Sequence, residues 1–169
     1  ADLETPVSAF LKLKAHGARF LLESVEQGEN LGRYSFIGGS FLKLFQVMDG
    51  SVHVWDDHGR HEETPLAGAD PLEYLKQTFL GYEIERNALV PRLLGGAVGF
   101  ISYDYARHLE PIPQKVKPGM GVPLCMFYLV DTLVVFDHIS RKIRLVALAG
   151  GAGATEEAAR ERLEKLIVI

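Results

Sequence analysis

The stretch "CMFYLVDTLVVFDHISRKIRLVALAG", Cys125–Gly150, carries two apolar segments on either side of Ile139-Ser140. Branched and aromatic side chains suit an extended backbone, so the stretch predicts a long antiparallel hairpin turning at that dipeptide. A hairpin of this length needs neighbours for its edges, and the chain upstream supplies them. "RYSFIG" (33–38), "SFLKLFQVM" (40–48) and "SVHVW" (51–55) read as strands, the last two joined by a tight turn at Asp49-Gly50. "DDHG" turns the chain again toward "RHEET", and "GGAVGFISYDY" (95–105) is a glycine-rich strand. "ARFLLES" (18–24) is expected to be a strand buried on both faces.

Helices punctuate these strands. Thr5-Pro6 has the form of an N-cap followed by proline at the first helical position, with Val7, Phe10, Leu11 and Lys14 at helical spacing and Gly17 as the stop. Asp70-Pro71-Leu72-Glu73 has the form of a capping box, and Leu72, Leu75 and Phe79 form a stripe that Gly81 ends. Pro111, Pro113, Pro118 and Pro123 break up an irregular loop. After a "GGAGA" joint, Thr155 caps a last helix with Ala159, Leu163, Leu166 and Ile167 on one side. Strands outnumber helices and no βαβ repeat is evident. The expected class is α+β, a largely antiparallel sheet with flanking helices.

Composition narrows the function classes. The chain has 169 residues, 47% apolar and 24% charged, with net charge −4, the balance of an ordinary globular domain. Basic residues are scattered, so no stripe for nucleic acid is present. No apolar run approaches the roughly 18 residues of a membrane span, and the acidic start "ADLETP" has no signal-peptide core. The single cysteine, Cys125, lies in an apolar run and predicts a buried hydrophobe in a reducing, cytoplasmic setting. The missing initiator Met reads as trimming or processing, and the uncapped apolar end "KLIVI" as a cut before further protein.

Most candidate chemistry reads better as structure. "GGAVG" (95–99) lacks phosphate-loop spacing, and glycines inside a strand more often admit a neighbouring backbone. Asp56, Asp57, His58, His61, Glu62 and Glu63 match no metal-ligand spacing and read as a solvated hairpin tip. No nucleophile elbow is present, and Asp131, Asp137 and His138 are read as supporting groups. One stretch is different. In "FLLESVEQGENLGRYSFIG" (20–38) a carboxylate and a hydroxyl, Glu23 and Ser24, end an apolar run and face a return strand with Arg33, Tyr34 and Ser35. Glu23 and Ser24 have the groups to hold an ammonium, Arg33 a carboxylate, and Leu21, Leu22, Tyr34 and Phe36 to wall an apolar slot. Those are the needs of an amino acid with a large apolar side chain. A plain Glu23–Arg33 salt bridge between neighbouring strands is the competing reading.

The same residues carry a resemblance. "FLLES…GRYSFIG", "GGAVGFISYDYARHLE" and "PLCMFYLVDTLVVFDH", in that order over residues 20–138, resemble the N-terminal part of anthranilate synthase component I, the large subunit. That family makes anthranilate from chorismate and ammonia released by a glutamine amidotransferase subunit (component II), in tryptophan biosynthesis. The resemblance implies that the chorismate and Mg²⁺ residues lie in a C-terminal part whose motifs do not occur here. This chain alone is therefore expected to be inactive, with no catalytic residue, metal ligand or cofactor of its own. It implies a regulatory domain over 1–149, and a joint and helix over 150–169 leading toward the chorismate-binding part. It also implies feedback inhibition by L-tryptophan, with Leu22, Glu23 and Ser24 on the effector motif and Arg33, Tyr34 and Ser35 on the segment after it. The other wall of that pocket is expected from the C-terminal part. Aminodeoxychorismate synthase component I, of folate synthesis, is similar in this region, and a free-standing amino-acid-binding module is the reading from another class.

Overall fold

The computed structural model describes residues 4–23, 32–38, 41–79, 85, 91–113, 121–150 and 155–168, with residues 78 and 79 described by backbone only. Four α-helices and nine strands occur among them, in an α+β arrangement of two antiparallel sheets. The chain divides into two compact units. One comprises Ala1–Phe41, Glu83–Gly96 and Val130–Ile169; the other comprises Leu42–Tyr82 and Ala97–Leu129.

The first unit holds a four-stranded sheet in the order β1 (Leu21–Glu23), β2 (Tyr34–Gly38), β8 (Thr132–Asp137), β9 (Lys142–Ala147). Its two helices are α1 (Pro6–Lys14) and α4 (Glu156–Ile167). Thr5 and Ser8 cap α1 reciprocally, with Pro6 in the first turn, and Gly17 at φ 102° ends it. The face that α1 buries is not the one expected. Leu13 is buried, with Ala9 and Phe10 beside it, while Val7 and Leu11 are exposed. Leu13, Ala18, Ile37, Val134 and Phe136 form the core here, with Leu21, Leu145 and Leu166 packed around it. Every residue of β8 is buried, because β8 is an inner strand flanked by β2 and β9. "ARFLLES" was expected to have that character. Of its described residues, three form a strand, and that strand is the sheet edge, leaving Leu22 and Glu23 exposed.

The second unit holds a five-stranded sheet in the order β5 (His61–Pro65), β4 (Ser51–Asp56), β3 (Lys43–Met48), β7 (Cys125–Val130), β6 (Gly96–Ile101). Its helices are α2 (Pro71–Phe79), α3 (Ala106–Leu109) and a 3-10 turn, Tyr103–Tyr105. The β3–β4 turn has positive φ at both Asp49 (51°) and Gly50 (78°), the hairpin geometry this dipeptide favours. Phe45, Val47, Val52, Leu66 and Cys125 make its core. Burial first, and then the Asp70 charge, push the Cys125 thiol up to about 11, so it stays a neutral packing group. Asp70 accepts from Leu72 N as the cap of α2 and from the Tyr105 hydroxyl at 2.5 Å. Burial, followed by that bond, pushes the Tyr105 phenol up to about 12.

The long run 125–138 is not one arm of a hairpin. It breaks at Asp131 into β7, paired with β3, and β8, paired with β2 and β9. Only β8 and β9 make the expected hairpin. The reason lies in the partners: β2 and β3 belong to different sheets, and the strand opposite follows the same division. Asp131, 3% exposed, forms an ion pair with Arg162 of α4 at 3.1 Å, while Arg162 also donates to the Thr132 hydroxyl and the Leu148 carbonyl. The helical stripe expected in the last helix therefore contains a cation turned inward. Ala159 is buried as expected, while Ile167 is exposed. The Gly81 helix stop, the joint after Gly150 and Pro118 lie outside the described residues.

Candidate functional site

The end of the β1–β2 ladder carries the residues singled out by the sequence. The register pairs Leu21 with Ile37, Leu22 with Phe36 and Glu23 with Ser35. Paired residues on antiparallel strands share a face, and the pleat alternates faces along each strand. Leu22, Tyr34 and Phe36 therefore form a strip on one face, with the two rings 5.8 Å apart. Leu21, Glu23, Ser35 and Ile37 take the other, the face that carries the core under α1. Leu21 packs into that core, so it does not line the strip with Leu22, Tyr34 and Phe36. Glu23 therefore lies at the sheet edge on the face opposite that strip. Its side chain is exposed, and no residue among those described bonds its carboxylate. Ser24 lies outside the described residues.

The return strand is tied across to β8. Arg33 does not reach Glu23. It donates from Nε to Asp137 Oδ1 (3.3 Å) and from Nη2 to Asp137 Oδ2 (2.9 Å), with its guanidinium 4.8 Å from the centre of the Tyr34 ring. This overturns the Glu23–Arg33 salt bridge, and the cause is register: Tyr34 sits opposite Asp137. The Asp137 carboxyl is held well below the usual carboxylate range by the Arg33 hydrogen bonds, with burial opposing and the Ser140 N–H assisting. Ser35 is 1% exposed, and its hydroxyl lies 2.8 Å from His138 Nε2. The structure thus gives Glu23 to solvent, sets Tyr34 half-buried beside a fixed cation, and places Ser35 in a second layer. Asp137 and His138 are the bonding partners that the stretch 20–38 alone does not reveal. The signal for them is the polar pair ending the apolar run at "FDH".

Asp56 closes the hairpin tip through Arg60 Nε and the backbone N–H groups of His58 and Arg60. No group of three or more His, Cys, Asp or Glu able to hold a metal occurs among the described residues. Among the described residues, no helix is long and apolar enough to cross a membrane. A side chain at Gly99 would collide with the Met126 carbonyl and crowd Phe127 Cα, so the strand glycine admits the backbone of β7.

Comparison with known proteins places this geometry. A family model described as chorismate binding enzyme matches residues 17–167. Anthranilate synthase component 1 of Acetivibrio thermocellus is 32% identical over 169 residues, which is all of this chain and 34% of that protein. The protein of that name from Thermus thermophilus is 37% identical, over 96% of this chain and 33% of its own length. That from Mycolicibacterium smegmatis is 37% identical, over 93% and 30% respectively. The crystal structure of anthranilate synthase component I from Streptococcus pneumoniae TIGR4 shares the fold, with a TM-score of 0.66 at 24% identity, over 99% of this chain and 35% of that one. The chain spans about a third of the length of the curated relatives it matches, and the similarity is to the N-terminal portion of component I. With the family model spanning nearly the whole sequence, the chain belongs to the chorismate binding enzyme family.

Proposed function

We propose that this chain is the regulatory N-terminal part of an anthranilate synthase component I, a cytoplasmic protein forming anthranilate from chorismate, and that it carries part of a site for L-tryptophan. The observation that supports this most is similarity along the whole chain to one third of relatives named anthranilate synthase component 1. In this reading residues 1–149 are the regulatory domain and 150–169 lead toward the chorismate-binding part. Chorismate, Mg²⁺ and ammonia from the amidotransferase subunit are handled outside this chain.

The site fits an edge-bound amino acid. Glu23 and Ser24 take the ammonium at the sheet edge, and Leu22, Tyr34 and Phe36, on the other face of that edge, offer the apolar strip. Arg33 is fixed by Asp137, which leaves it as a positioned positive charge, and Ser35 supports the strand through His138. Burying an indole against such a strip is worth a few kcal/mol, at about 25 cal/mol per Å². Inhibition follows when L-tryptophan favours one arrangement of the regulatory and catalytic parts. A coupling of about 1–3 kcal/mol is typical, and chorismate then weakens tryptophan binding by the same factor. In the family-length protein, Glu23→Ala is expected to raise the L-tryptophan concentration that halves anthranilate formation by at least ~10-fold, about 1.4 kcal/mol. Inhibition equal to that of the unaltered protein would exclude Glu23 from the site, and formation of aminodeoxychorismate would assign the chain to the folate enzyme instead.

A further inference from the structure

The two helices of the first unit do not cover their sheet evenly. α1 packs on β1 and β2, and α4 packs on β9. With strands about 4.8 Å apart, those positions set the helix axes about 12 Å apart, whereas helices in contact lie at ~8–10 Å. A seam therefore runs over β8. It is a largely apolar cleft of about 160 Å³ floored by Val134, Phe136 and Leu145 and sided by Ala9, Leu13 and Leu166, with Glu4 and Lys12 at its rim. A cavity of about 150 Å³ is the size that accepts a benzene ring.

The cleft opens into a second one of about 260 Å³ that shares Glu4, Phe136 and Ile143 with it. The charges here are unequal in their commitments. Glu4 is taken by Lys12 and Ser8. Asp137 is taken by Arg33 and the Ser140 N–H, with Arg144 at 3.8 Å. His138 is bonded to Ser35. Arg141, exposed and in the β8–β9 turn, lines the second cleft with no carboxylate partner among the described residues, whereas Lys142 pairs with Asp137 and so lies on the face opposite Val134 and Phe136. An apolar slot one ring deep thus continues into a mouth that holds the Arg141 cation. That combination selects an anionic head on a small apolar body.

We propose that this seam binds a single-ring aromatic monocarboxylate, with the ring over Val134 and Phe136 and the carboxylate at Arg141. Asp137 and His138 adjoin both sites, but the ligand contacts proposed here, Val134, Phe136 and Arg141, are none of the tryptophan contacts, so each reading fails separately. The probe is 3-phenylpropanoate, titrated into this chain with methyl NMR detection, and its neutral isostere 3-phenylpropanamide is the control. Expected are saturable shifts at Val134, Leu145 and Leu166 with a dissociation constant near ~1 mM, as a ligand of this size allows. The amide should bind at least ~5-fold more weakly, through loss of the charge-assisted bonds. Arg141→Ala, at an exposed position in the β8–β9 turn, should remove that preference while leaving the methyl spectrum of the free protein in place. Equal binding of acid and amide, shifts confined to other residues, or no shift up to ~20 mM, more than ten times the expected constant, would overturn the proposal.

Discussion

Gly99→Val is expected to cost about 3 kcal/mol or more, the upper range for overpacking. A Cβ there meets the Met126 carbonyl and the Phe127 Cα, neither of which can swing aside as the end of a flexible side chain does. The β6–β7 ladder has to separate locally, and backbone groups of β7 lose partners with it. Urea unfolding measures the loss directly. Gly96, in the same strand, has φ 126° with open space around it, so Gly96→Ala strains the backbone without a collision and is expected to cost less. Equal costs at the two positions would refute the close-approach account.

The second large effect is expected at Asp137. Its side chain is fully buried and holds Arg33 in place. Asp137→Asn keeps the shape, removes the charge, and is expected to cost about 2–3 kcal/mol at pH 7, below the full range for a buried pair because the Arg33 side chain is 41% exposed. The folded-state pKa of Asp137 is depressed. Its contribution is therefore present above the unfolded value, near ~3.9, and is lost as pH falls toward the folded one. Unfolding free energies of the two proteins should differ at pH 7 and converge as the pH drops below ~4. A gap that stays constant through acid would show that packing, not charge, is what the carboxylate supplies.

The sequence showed clearly whatever is fixed locally. The Asp49-Gly50 turn, the Thr5-Pro6 start of α1 and the Thr155 cap of α4 depend on residues within one turn, and each is present. The antiparallel α+β class follows from such signals. The division into two sheets does not, because the apolar run 125–138 looks continuous and only its partners reveal the break at Asp131. The face of α1 was misjudged for a related reason. Leu11 and Leu13 are equally apolar, and the sheet beneath decides which is buried.

The candidate site was legible to a similar depth. The exposed acid Glu23 could be read from "FLLES" and the strip of Leu22, Tyr34 and Phe36 from "FLLES" and "RYSF", but the register puts the two on opposite faces. The partner of Arg33 could not be read this way. Glu23 is the nearer acid in sequence, while Asp137 lies 104 residues away and is brought opposite by strand register. Alternation across the pleat, which sends Leu21 into the core, likewise needs the register before it can be stated.

Calorimetric titration with L-tryptophan of this chain alone, and of the family-length protein containing it, tests the regulatory assignment most directly. The account predicts one saturable site in the longer protein, at least ~10-fold weaker binding to this chain alone, and a loss of similar size on Glu23→Ala, each worth about 1.4 kcal/mol. Equal affinity for both proteins, or binding that ignores Glu23→Ala, would contradict it.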